Sequence, residues 1–264
     1  MAIIKKPIIK KIKPVGKRSQ TGIAGFDPLV QGGFPLGSSI LIAGGPGTGK
    51  SIFSLQYLIS GATKYKEKGL YVSFEQTTRA IKNQASQFGW NISSLEKSGM
   101  LTIKSIPTSK MTKETMKEIH EFVKANKIKR LVIDSLSTIV VNAPIYTVPS
   151  ELSVEDVVGE NVVFSPPIIG DYVVKRFIYN FIESLRYLDC TSLLISEAGK
   201  DGEFITRDTL SEFVCDGVIL ITFESMGGAF SRSLIVRKMR HTKNDEDVHP
   251  VEISNKGIIV HKIE

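Results

Sequence analysis

Short apolar runs recur along the chain at intervals that leave room for a helix between them. They are "SSILIAGG", "GLYVSFE" (69–75), "LTIKSI" (101–106), "RLVIDS" (130–135), "TSLLISE" (191–197) and "DGVILITF" (216–223). Runs this short and this evenly apolar are the mark of strands buried on both faces. The segments "SIFSLQYLISGA", "TTRAIKNQASQFG", "KETMKEIHEFVKAN" and "VVKRFIYNFIESLRYL" lie between them and carry a helical pattern instead. In the first of these, Ile52, Phe53, Leu55, Tyr57, Leu58 and Ile59 make the helix apolar around most of its girth, which predicts burial. The alternation predicts an α/β fold with a mainly parallel sheet covered by helices on both faces. The last third changes character: "RSLIVRKMR", "HPVEIS" and "GIIVHKI" follow too closely for crossover helices and predict antiparallel hairpins at one side of the sheet.

One stretch interrupts the rhythm. Residues 143–170, "APIYTVPSELSVEDVVGENVVFSPPIIG", hold four prolines, no basic residue, and Glu151, Glu155, Asp156 and Glu160. The stretch is too long for a plain connection and reads as an acidic insertion within a single domain spanning 21–264. At 264 residues, 42% of them hydrophobic, the chain is long enough for one sizeable core. No run approaches the roughly 18 apolar residues that cross a bilayer, and lysines interrupt the isoleucines of "MAIIKKPIIKKIK", so a cytoplasmic location without membrane insertion is expected.

The net charge of +7 is concentrated at one end. Lys5, Lys6, Lys10, Lys11, Lys13, Lys17 and Arg18 stand in residues 1–20 without an acid; with those seven removed from the 34 basic residues, the remainder balances the 27 acids. This basic tail reads either as a contact arm for nucleic acid, an acidic partner or a neighbouring subunit, or as a solvated tail. Cys190 and Cys215 lack C-x-x-C spacing, and His120, His241, His249 and His261 lack ligand spacing, so buried free thiols are expected and a disulfide or zinc site is not.

The chemistry begins at "AGGPGTGKSIFSLQ" (43–56), which fits G-x-x-x-x-G-K-[ST] with Gly44, Gly49, Lys50 and Ser51 on the fixed positions. An apolar strand leads in and a buried helix leads out, as a phosphate-binding loop requires. Gly44, Gly45, Pro46, Gly47, Thr48 and Gly49 would turn their backbone around a phosphate chain, with Lys50, Ser51 and Ile52 opening the helix. In this reading Lys50 reaches the outer phosphates and Ser51 ligates Mg²⁺. Two acids end strands on the same side. Asp134 closes "LVID" as a Walker B carboxylate would, and Glu75 closes "YVSFE", where it would polarise an attacking water or cap the helix that begins near Thr77. Glu197, at the end of "LLISE", is a third candidate, either sensing the γ-phosphate or orienting a neighbour.

Taken in order, "TGIAGFDPLVQGGFPLGS", the phosphate loop, "YVSFEQ", "ASQFGW", "LVIDS", "EFVCDGVI" and "VRKMRHT" resemble the KaiC-like branch of the RecA-superfamily ATPases. The likeness extends over Thr21 to Ile258, and one such domain looks like the single-domain, archaeal type. It implies a RecA-like P-loop core, ATP as the nucleotide, and a ring, usually a hexamer, with ATP between subunits. Lys238 and Arg240 match the pair that in this family reaches the neighbour's γ-phosphate; by themselves they also read as two basic residues on an exposed edge strand. Three departures stand out: Glu75 is followed by Gln76 where two glutamates are usual, "RHTKN" puts Asn244 where a histidine is expected, and the insertion is longer than the usual loop.

The resemblance implies an ATP-binding, slowly hydrolysing ring whose nucleotide state regulates a protein partner. A DNA-binding recombinase paralogue is the alternative that the basic tail favours and the acidic insertion opposes. A non-hydrolysing scaffold of the flagellar-motor-associated type is a third, against which Glu75 weighs. Which serine or threonine, if any, receives phosphate is not written in the sequence.

Overall fold

The computed structural model describes residues 16–112, 114–147, 166–199, 205–226 and 229–263. Six strands run parallel: β3 (Ser39–Gly44), β4 (Gly69–Ser73), β5 (Leu101–Ser105), β6 (Arg130–Asp134), β7 (Thr191–Glu197) and β8 (Gly217–Met226). β9 (Ala229–Met239), β10 (His249–Ser254) and β11 (Gly257–Val260) extend the sheet antiparallel beside β8. The spatial order is β11-β10-β9-β8-β3-β7-β6-β4-β5. The chain therefore leaves β3 and re-enters three strands away at β4, so the carboxyl ends of β3, β7, β6 and β4 lie side by side, where ligands of open α/β sheets bind.

Successive residues of β3, β4, β6 and β7 feed two different cores, so the middles of these strands are apolar on both faces. Ile40, Ile42, Tyr71, Val132, Leu193 and Ile195 face one layer with α1 (Lys50–Ser60), α2 (Thr78–Gln87) and α3 (Ile92–Lys97). Leu41, Leu70, Val72, Leu131, Ile133 and Leu194 face the other, with α4 (Thr115–Asn126), α5 (Leu136–Thr147) and α6 (Pro166–Leu185). The expected α/β architecture with terminal antiparallel strands is present.

Two boundaries differ from the sequence expectation. The acidic insertion is narrower at both ends, because α5 continues to Thr147 and α6 already begins at Pro166; residues 148–165 lie outside those described. A proline in the first turn lacks only an amide that a helix start leaves unpaired anyway, so Pro166 opens α6 instead of blocking it. The tail also ends sooner than residue 20. Arg18 and Ser19 form β1, paired with Phe34–Pro35 (β2), and Ser19 is buried against the Tyr57 hydroxyl at 2.8 Å. Arg18 donates to Thr242 Oγ1 (2.6 Å) and to the His241 carbonyl (3.0 Å), tying the chain start to the turn that follows β9. Residues 1–15, which carry most of the basic excess, lie outside those described.

A buried cation braces the far end of the crossover. Arg130, fully buried at the start of β6, donates Nε to Glu67 Oε2 (2.6 Å) and Nη1 to the Tyr57 carbonyl (2.9 Å), with its guanidinium 4.4 Å from the Tyr57 ring. Space for it comes from Gly61, where α1 loosens into a π turn; a Cβ there would collide with Arg130 Cδ and Nε.

Candidate active site

Gly44 ends β3 in register with Glu197 of β7 and Ile221 of β8. A side chain at Gly44 would run into the Ile221 carbonyl and lie 2.9 Å from Thr48 Oγ1, so the strand can enter the loop this tightly only as glycine. Gly47 and Gly49 then take φ of 73° and 107°, which turns the loop back into the first amides of α1. Gly45 and Gly47 border open space, with nothing within 4 Å of where a Cβ would stand. The loop is thus a backbone cradle at a helix N-terminus, built to meet an anion. Thr48 is buried and bonds the Gly45 carbonyl (3.0 Å), while Pro46 is exposed. Ile52 packs its side chain on the core, leaving its backbone amide as the group it offers the loop.

Lys50 curls over this cradle, donating Nζ to the carbonyls of Gly44 (2.8 Å) and Gly45 (2.7 Å). Burial lowers its pKa, and the negative charges of Asp134, Glu197 and Glu75 oppose that shift. These three carboxylates gather around the lysine because each ends a neighbouring strand on the same side of the sheet.

Asp134 and Ser51 meet directly. Ser51 Oγ donates to Asp134 Oδ2 at 3.1 Å, and the buried Tyr71 hydroxyl donates to the same oxygen. Burial raises the Asp134 pKa, Glu75 adds to the rise, and the bonds from Tyr71 and Ser51 and the charge of Lys50 hold it down. A serine hydroxyl and a carboxylate are hard oxygen donors of the kind that suit Mg²⁺. Among the described residues no group of three or more His, Cys, Asp or Glu side chains can hold a metal ion alone, so an ion here would share its coordination with nucleotide phosphates. When bound, such an ion neutralises charge on the phosphates.

Glu75 is exposed, two residues beyond β4, and does not cap α2. That role belongs to Thr77, whose Oγ1 accepts the Ala80 amide at 3.2 Å. Glu75 Oε1 instead accepts from Ser135 Oγ and from Thr138 Oγ1 (2.6 Å), both at the start of the segment that follows β6. Two hydroxyls thereby aim the carboxylate across the carboxyl ends of β4 and β6. Glu197 pairs with Arg207 at 2.7 Å, both side chains about half exposed.

Lys238 and Arg240 stand apart from this group. Lys238 pairs with Val218, near the amino end of β8, and Val218 is level with Leu41 of β3. From there to Gly44 is three residues along the sheet and two strands across, about 10 Å in each direction, so neither side chain reaches its own phosphate loop. Lys238 Nζ instead caps α7 (Ser211–Val214), donating to the carbonyls of Glu212 (3.1 Å), Phe213 (3.0 Å) and Cys215 (2.7 Å). Arg240 bonds Asp216 Oδ1 (3.1 Å) and the Phe213 carbonyl (3.2 Å). Asn244 donates to the Val236 carbonyl at 2.9 Å and fastens the turn after β9.

Two residues that the sequence reading passed over belong to the site, Arg232 at the loop and Tyr71 at Asp134. Arg232 of β9 lies 4.5 Å from the Phe223 ring and donates Nε and Nη2 to the Gly47 carbonyl, each at 3.3 Å. The other is Tyr71, indistinguishable in sequence from a core aromatic.

A glycine cradle with its lysine, a serine bonded to a strand-ending aspartate, and a glutamate on the adjacent strand define a P-loop nucleotide-binding protein of the α/β class. More narrowly, the chain belongs to the KaiC ATPase family: the family model described as "ATPase: KaiC" matches residues 19–149 and 167–264. The unmatched interval falls within the acidic stretch. A "UPF0273 protein" of Thermotoga maritima is 31% identical over 264 residues, covering 94% of this chain and 97% of that one. The "Circadian clock oscillator protein KaiC" of Parathermosynechococcus lividus is 29% identical over 91% of this chain, which spans 42% of that protein. The crystal structure of KaiC-like protein PH0186 from Pyrococcus horikoshii superposes with a TM-score of 0.76 at 29% identity, covering 94% of this chain and all of that one.

Proposed function

We propose that this protein binds ATP with Mg²⁺, hydrolyses it slowly, and uses its nucleotide state as a regulatory switch within a homo-oligomeric ring, hexameric as the resemblance to KaiC-like ATPases implies. The observation that carries the reading is the position of Glu75: it does not cap α2, and Ser135 and Thr138 hold it beside the end of β6, which bears Asp134, near enough for its charge to act on Lys50. Phosphoryl transfer to water needs a held phosphate chain, charge neutralisation and a carboxylate to orient the water. The backbone of 44–49 and Lys50 serve the first, Lys50 with the Ser51–Asp134 pair the second, and Glu75 the third.

Lys238 and Arg240 complete the site in trans. Their separation from their own loop supports a role on the next subunit's γ-phosphate, which makes the interface depend on ATP and couples assembly to occupancy. A ring of this kind acts through a protein partner, in the cytoplasm; the basic tail is the part suited to nucleic acid or an acidic surface.

Mass photometry with and without Mg·ATP, run beside phosphate release, tests this on the native chain and Glu75→Gln. ATP-dependent rings are expected for both, with release slowed on the order of a hundredfold or more by the substitution. Rings from both proteins with release from neither would replace the switch by a nucleotide-dependent scaffold.

A further inference from the structure

The layer between the sheet and α1 is apolar at Ile42, Val132, Leu193 and Ile195, yet β4 places the hydroxyl of Tyr71 in it. Tyr71 is 1% exposed, and its hydroxyl bonds Asp134 Oδ2, the oxygen that also accepts from Ser51. Burying a phenol needs a partner for its O–H, and phenylalanine would fill the same volume without that demand. The strands explain the match. β4 and β6 are parallel neighbours with Tyr71 opposite Val132 and Ser73 opposite Asp134, so the ring spans two residues toward the carboxyl end to reach the carboxylate.

We propose that Tyr71 is a positioning residue for the divalent ion, holding Asp134 in the orientation from which, with Ser51, it serves Mg²⁺ on the nucleotide. Ser51 can offer its oxygen to the ion while its hydrogen stays on Asp134; Tyr71 supplies the second donor, and together they stop the buried carboxylate from turning. Oδ1 is then the atom left for the ion's water shell. Residues behind metal ligands commonly govern affinity in this way. The inference rests on the ATPase reading of the site.

The test is Mg²⁺ titration of N-methylanthraniloyl-ATP binding, followed by fluorescence, in the native chain and Tyr71→Phe. Nucleotide binding in EDTA is expected to match and the thermal melt to fall only by what the loss of one buried hydrogen bond implies, while the Mg²⁺ midpoint rises on the order of tenfold. Mn²⁺, bound more tightly by oxygen and nitrogen ligands, should recover part of the loss. In an Asp134→Asn background the Tyr71→Phe shift should vanish, because the hydroxyl acts through that carboxylate. An unchanged midpoint in a native-like variant, or the same shift with Asp134 replaced, overturns the role of Tyr71 alone. A native chain whose nucleotide binding ignores Mg²⁺ overturns the ATPase reading itself. Should Tyr71→Phe fail to fold, the native chain labelled at tyrosine ¹³Cζ answers instead. One of its seven tyrosine signals should move when Mg²⁺ joins the nucleotide complex, and seven unmoved signals reject the proposal.

Discussion

Asp134 and Glu75 close neighbouring strands and differ mainly in their surroundings. Asp134 is buried, so its charge depends on donors at its own oxygen; Glu75 is exposed, and two hydroxyls fix its direction. Both carboxylates stand out at the ends of "LVID" and "YVSFE", but their donors do not, because Ser135, Thr138 and Tyr71 carry no local mark of the bonds the fold gives them. The thiols are the plainer case. Burial pushes Cys190 up to about 11 and Cys215 higher still. Since the unfolded chain gives up these protons first as pH rises, the stability they hold at neutral pH is lost upward from about pH 8.5. Dithionitrobenzoate at pH 8 should therefore titrate neither cysteine in the native chain and both in guanidinium chloride; fast native reaction would contradict their burial.

At the scale of elements, the strands were legible because both faces of the sheet are covered, which keeps the middles of β3, β4, β6 and β7 apolar and leaves polar residues mostly at their ends. α3 was not, since six residues with one buried side chain, Ile92, leave no periodic pattern. The start of α6 was hidden by prolines that read as breakers yet suit a first turn. Two substitutions separate scaffold from chemistry. Thr77→Ala removes the α2 cap and should cost about 1 kcal/mol in denaturant melts while leaving ATP turnover close to native. Gly61→Ala drives a methyl into the Arg130 guanidinium and should cost about 1–3 kcal/mol, again without a specific effect on the site. A stable Gly61→Ala protein would mean that Arg130 can leave its pocket between Tyr57 and Glu67.

For the whole molecule, the decisive geometry is the placement of phosphate loop and basic pair at opposite ends of one sheet. β9 runs antiparallel to β8, so its final residues return to the edge where the parallel strands begin. A site made from both must come from two copies. Mixing Lys50→Ala subunits with Arg240→Ala subunits should then restore part of the turnover that each lacks alone, since some interfaces pair an intact loop with an intact arginine. Turnover no greater than the sum of the separate variants would place the whole reaction within one chain.

The sequence by itself determined the phosphate loop, the strand–helix alternation and the acids at the strand ends, because glycine spacing, apolar periodicity and strand termini are local properties of consecutive residues. Only the tertiary structure decided that Thr77 rather than Glu75 caps α2, that Tyr71 serves Asp134, that Arg232 touches the loop, and that Lys238 and Arg240 face away from it. Each of these depends on which strands lie side by side and in which direction. Strand neighbours are chosen by the burial of two whole faces, which no single segment encodes.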